Sequence, residues 1–237
     1  MEGYCMTNQP IYSSGGAGGA GGSYTVVSSL QPSINPFEVV RSFERALCDY
    51  TGAPYAVTTT SCTMALLLAV ACMREKLWGG NPLHKISIPR RTYVSVPMSI
   101  IHAGCYPIFR DEDWLGSYQL MPLPIWDCAR LFTSGMFVPN TMQCVSFHWS
   151  KTLGIQQGGA ILHDNPFADE WLRRARFDGR REGVPPKADD FDLIGWHCYM
   201  APETAAAGLM RIGLLPKHNP PLPNDDYPDL SQMRIFR

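Results

Sequence analysis

Short apolar runs alternate with helix-period segments along most of this chain, and the alternation limits the folds open to it. Phe37 to Tyr50 places Phe37, Val40, Phe43, Ala46 and Leu47 at a helical period, with Asn35-Pro36 as a start signal. Ala56–Thr59 reads as a short strand, and Cys62 to Met73 is apolar nearly all round, the mark of a buried helix. Strands are predicted at Ile86–Pro89, Tyr106–Phe109, Pro124–Asp127, Cys144–Phe147 and Gly159–His163. Helices are predicted over Val94–Ala103, Phe167–Phe177 and Thr204–Leu215, the second with Phe167, Trp171, Leu172 and Ala175 on its apolar side. Strands interleaved with helices predict an α/β fold, a mainly parallel sheet flanked by helices.

Three regions follow from composition. Residues 1–35 hold a run of Gly, Ala and Ser from Ser13 to Ser23 and read as a flexible arm, because little apolar surface offsets the ordering entropy. Residues 36–215 carry the α/β pattern, and 216–237, with Pro216, Pro220, Pro221, Pro223 and Pro228, read as an extended Pro-rich tail. Over the 237 residues, 45% are hydrophobic and 17% charged, which fits a globular chain. The net charge of −1 gives no global field toward nucleic acid or a membrane surface. No run approaches the roughly 18 apolar residues of a membrane span, and no basic segment followed by an apolar core suggests a signal peptide. The eight cysteines are scattered without a C-x-x-C pair, which predicts a reducing, cytoplasmic setting and no structural metal.

Three segments carry chemistry. Ser146-Phe147-His148-Trp149-Ser150-Lys151, followed by Gly158-Gly159, reads as a strand opening into a tight loop that holds one amine at the edge of a buried site. Such an amine can form a Schiff base with an aldehyde. A lone lysine, by contrast, is ordinarily a solvated charge. Ile125-Trp126-Asp127 is an apolar run ending in a carboxylate; a strand-end aspartate can equally cap the next turn. Ser61-Cys62-Thr63 lies where a strand turns into a helix, so the free amides and the dipole favour an anion there. Taken alone, Ser61 reads first as an ordinary N-cap. The arginine-rich stretch Arg173–Arg181 reads as a helix end, with contact to a phosphorylated substrate as the alternative.

Together these segments resemble the DegT/DnrJ/EryC1/StrS family, sugar aminotransferases of fold type I that use pyridoxal 5'-phosphate. The resemblance covers roughly Phe37 to Leu215. It implies that Lys151 holds the cofactor covalently and moves the proton during amino transfer. It implies that Asp127 pairs with the pyridine nitrogen, that Tyr93 stacks on the ring, and that Cys62, Thr63 and Ser146 line the phosphate. Arg130 stands where the family's glutamine faces the phenolic oxygen. His197 stands where an asparagine reaches the partner's phosphate across a homodimer. Two departures go with it: little chain lies between Asp111 and Asp127, and the C-terminal small domain is expected to be largely absent.

The function implied is transfer of an amino group from an amino acid donor to a keto sugar, nucleotide-linked in the family's manner. A PLP-dependent decarboxylase or lyase on an amine, and a non-catalytic binding protein of the same fold, are the competing readings. Groups around the substrate decide which bond breaks.

Overall fold

The computed structural model describes residues 35–77, 85–224 and 226–237. The arm expected at 1–35 lies outside them apart from Asn35, as does Cys5.

The chain order is α1 (Glu38–Thr51), β1 (Tyr55–Thr59), α2 (Cys62–Leu77), β2 (Lys85–Pro89), α3 (Ser95–His102), β3 (Tyr106–Arg110), β4 (Tyr118–Gln119), β5 (Ile125–Asp127), β6 (Met142–Ser146), β7 (Gly159–His163), α4 (Pro166–Ala175) and α5 (Pro202–Ile212). Local signals set several ends. α1 stops at Gly52, which sits at φ 81° and returns its N–H to the Cys48 carbonyl. α4 starts at Asn165, whose side chain accepts from the Phe167 and Ala168 amides ahead of Pro166.

The sheet corrects one expectation. Its five strands run β1-β7-β6-β5-β4, and the β1–β7, β6–β7 and β4–β5 pairs are antiparallel, leaving β5–β6 parallel. β2 and β3 form a separate parallel pair, tied to the second residue after β4 by an antiparallel bridge between Ser87 and Met121. The pairings therefore give β1, β2, β3, β5 and β6 one direction, with β4 and β7 reversed between them. The physical reason is that β7 and β5 each follow their neighbour through a turn or loop, not through a crossover helix.

Alternation along the strands divides the core between the two sheet faces. Cys144 and Ile161 face a cluster with α2, α3 and α4; Val145, Ala160 and Leu162 face one with α1 and α5. β6 and β7 are buried at every residue, as a strand covered on both faces must be. Phe167 departs from the predicted apolar side of α4: it is 83% exposed, while Ala168, Trp171, Leu172 and Ala175 are buried. Cys62, Cys72, Cys105, Cys128, Cys144 and Cys198 are buried as small apolar side chains. Among the described residues no helix is long and apolar enough to cross a membrane.

Among the described residues of 216–237 there are two short 3-10 turns, Leu230–Gln232 and Arg234–Phe236, and otherwise no regular structure. The segment nevertheless packs: Leu230 is 1% exposed, and Phe236 meets Phe109 edge-on at 5.7 Å.

Candidate active site

The strand directions place the chemistry. Register aligns Thr59 with Gly159 and Gly159 with Ser146, and pairs Asp127 with Cys144, two residues before Ser146. The segments leaving the C-terminal ends of β1, β2, β5 and β6 thus share one edge of the sheet, the usual place for a site in an α/β fold. They enclose a cavity of about 380 Å³. Cys62, Thr63, Tyr93, Asp127, Arg130, Ser146 and Lys151 all line it.

Asp127 ends β5 with a carboxylate that is 5% exposed. Its Oδ1 accepts from the Ala129 amide at 2.9 Å and its Oδ2 from the Tyr118 hydroxyl at 2.8 Å. Tyr118 has one proton to give, so its 2.6 Å contact with Thr92 makes Thr92 the donor there. Burial pushes the Asp127 carboxyl up; the two hydrogen bonds and the nearby Lys151 ammonium pull against it without cancelling the shift.

Lys151 lies in the β6–β7 loop, and its amide donates to the His148 carbonyl at 2.8 Å. Phe147 pairs with Gly158 at 2.9 Å and Ile155 with Phe147 at 3.0 Å, so the loop folds back on itself. Both glycines are required there. Gly158 sits at φ 135°, and a Cβ on it would lie 2.9 Å from Met200. A Cβ on Gly159 would overlap the Cys62 nitrogen at the start of α2.

At that helix end the Ser61 hydroxyl accepts from the Met64 amide at 3.2 Å, the capping contact that its position suggests. Thr63 Oγ1 lies 2.8 Å from Ser95 Oγ. Tyr93 is 57% exposed and faces the cavity, so it is not a core aromatic. Arg130 is 7% exposed, and its Nε donates to the Pro223 carbonyl at 2.6 Å.

His197 is not brought to the cavity. It is exposed, with Nδ1 2.8 Å from Asp178 Oδ2 and its ring 4.8 Å from that of Tyr199. The arginine stretch is neither a solvated helix end nor a phosphate cradle. Arg173 pairs with Glu44 and Asp169, Arg174 with Asp192, Arg176 with Glu44, and Arg181 with Asp189 and Asp190. Glu44, the partner shared by Arg173 and Arg176, lies far away in the sequence on α1, which is why the local pattern misleads.

Three aromatic residues of this site escaped the sequence reading. Tyr118 holds Asp127, while Trp114 and Tyr227 line the cavity wall. Aromatic side chains in the irregular stretches 111–124 and 216–237 were the available signal.

Comparison with known proteins now bears on the family. Residues 27–124 match the sequence profile of the DegT/DnrJ/EryC1/StrS aminotransferase family. Over that stretch, less than half of its length, the chain is similar to the family. It is similar to the spore coat polysaccharide biosynthesis protein SpsC of Bacillus subtilis (strain 168), at 36% identity over 74 residues, 31% of this chain and 18% of that protein. It is also similar to GDP-perosamine synthase of Caulobacter vibrioides, at 32% identity over 71 residues, 30% of this chain and 18% of that one. The match thus spans under a fifth of the length of either relative. Among solved structures, AtS13 from Actinomadura melliaura aligns with a TM-score of 0.65 at 20% identity, covering 74% of this chain and 59% of that chain. That likeness shows the fold.

Proposed function

We propose that the chain is a pyridoxal-phosphate-dependent aminotransferase that moves an amino group from an amino acid donor to a keto sugar carried on a nucleotide. The observation that carries the reading is the meeting of Lys151, the buried Asp127 and the start of α2 on one cavity. The residues fit the cofactor. β7 approaches the start of α2 so closely that only glycine fits at 159, and that helix start lines the cavity, where its free amides suit an anion. Hydroxyls of Ser61, Thr63, Ser95 and Ser146 stand at that end. Asp127 is a buried acceptor suited to a protonated ring nitrogen, which would also relieve the cost of its burial.

When bound, pyridoxal phosphate supplies an electron sink for the carbon that carries the amino group. Lys151 would hold the cofactor covalently and carry a proton to and from that carbon. Tyr93 offers a ring face beside it. The sugar is suggested by the relatives: one is named for a coat polysaccharide and the other for GDP-perosamine, a nucleotide-linked sugar.

The test is direct. Protein mixed with pyridoxal phosphate is reduced with borohydride, digested and mapped by mass spectrometry. The expected result is a pyridoxyl adduct on Lys151, absent in Lys151→Ala. An adduct elsewhere, or none at saturating cofactor, ends the reading. Conversion of the bound cofactor to its amine form by an amino acid, without CO₂ release, then separates amino transfer from decarboxylation.

A further inference from the structure

We infer that residues 222–224 and 226–230 form the outer wall of the Lys151 cavity, and that Tyr227 in this wall is a substrate-contacting residue. The contact with substrate rests on the reading of the cavity given above; the wall itself does not.

The segment is moored at both ends to the two loops that carry the site. At one end Leu222 donates its amide to the Arg130 carbonyl at 2.8 Å, and Arg130 Nε donates to Pro223 O at 2.6 Å. Asn224 Nδ2 donates to the Trp114 carbonyl. At the other end Leu230 donates to the Arg90 carbonyl at 2.9 Å, and the Arg90 guanidinium lies 3.5 Å from Asp229. Arg130 follows Asp127 by three residues and Arg90 precedes Tyr93 by three, so the moorings grip the site's own loops. Pro223 and Pro228 restrict the stretch between, which lowers the entropy lost in fixing it.

Tyr227 sits between the moorings and faces the cavity. Its ring stacks on Trp114, with centroids 6.3 Å apart and planes at 14°. It also meets Tyr93 edge-on at 6.5 Å. Arg130 Nη1 approaches its hydroxyl at 3.5 Å. Tyr93, Trp114 and Tyr227 thus give the outer cavity three aromatic surfaces, while hydroxyls, Asp127 and Lys151 occupy the inner part. Such a lining suits a molecule with an apolar ring or chain face turned outward and its reactive polar group turned in. Arg130, at the place where the family's glutamine stands, is committed in part to holding this wall.

Two measurements test it on the full chain carrying Tyr227→Ala, Tyr227→Phe or Asp229→Ala. The first needs no cofactor: the rate at which acetic anhydride labels Lys151, read by mass spectrometry against exposed Lys187 in the same sample. Opening the wall should raise Lys151 labelling several-fold in Tyr227→Ala and Asp229→Ala and leave Tyr227→Phe at the wild-type rate. The second is the half-reaction of loaded protein with its fastest-reacting L-amino acid. Tyr227→Ala should raise KM up to about tenfold, the worth of a lost stacking contact, with kcat changed far less. Tyr227→Phe should restore KM. Equal Lys151 labelling in all four proteins overturns the wall, and an equal KM in Tyr227→Ala and wild type overturns the contact. A wild-type protein with no borohydride-fixed adduct fails the aminotransferase reading, and the contact with it; the labelling comparison still decides the wall.

Discussion

Asp127 costs the unloaded protein stability in a pH-dependent way. Its folded pKa is raised, first by burial, so the unfolded chain gives up the proton at lower pH than the folded one. Stability is therefore highest below the unfolded value of about 3.9 and falls as pH rises from there through the folded value. Asp127→Asn removes that loss. The melting temperature of the cofactor-free variant, taken relative to wild type, should climb with pH over this window and then level. Activity should move the other way: the variant is expected to retain the Lys151 adduct while amino transfer falls by roughly 100-fold or more, the scale of losing a placed charge in a dry site. A relative melting temperature flat in pH would show that the carboxyl is not held as its surroundings imply. The carboxylate at the strand end and the lysine before two glycines were legible because each signal is local. The Thr92–Tyr118–Asp127 chain of hydroxyls was not, since its members lie in separate segments and meet through pairing of β4 with β5.

Glu44 joins three elements that a local reading leaves apart. It lies on α1, its Oε1 accepts from the Thr58 amide of β1 at 2.9 Å, and it pairs with Arg176 after α4 and with Arg173 within it. Burial alone would raise its pKa; the Arg176 and Arg173 guanidiniums and the Thr58 amide outweigh burial and leave it lowered. The sign is opposite to that at Asp127: this stabilisation is present above the unfolded value of about 4.3 and is lost as pH falls through the folded one. Glu44→Ala leaves Arg176, 2% exposed, without its main charge partner. The expected loss is about 3–5 kcal/mol, read as a lower urea midpoint with an unchanged slope. Arg173→Ala should cost less, because its side chain is 32% exposed. The helical period and apolar runs were enough to place most elements, since periodicity follows from burial. Strand direction was not legible: Gly-Ala-Ile-Leu-His of β7 is buried at each residue and reads the same in either sense. The two-residue β4 is too short to leave a period at all.

At the scale of the molecule, the surface around His197 argues for a second copy of the chain. His197 is away from the cavity of its own chain, and its neighbours Ile194 and Phe191 are 86% and 55% exposed. On α5, Ala205, Gly208 and Ile212 are buried, yet Met210 is 75% exposed, and Leu214 just past the helix end is 83% exposed. Large apolar side chains left in water are what an obligate interface removes. The proposed homodimer would place His197 beside the partner's cavity, at the start of the partner's α2, where a histidine can donate to a phosphate. Sedimentation should then give a dimer at micromolar concentration. The sharper measurement is complementation. Lys151→Ala is expected to be inactive, and His197→Ala to bind pyridoxal phosphate more weakly. In a mixed dimer one site carries both substitutions and the other carries neither, so mixing should restore activity and tight cofactor binding at one site per dimer. Recovery that depends on subunit exchange supports a shared site. A monomer that holds the cofactor at Lys151 and turns over at full rate places the whole site within one chain and rules the homodimer out as the working unit.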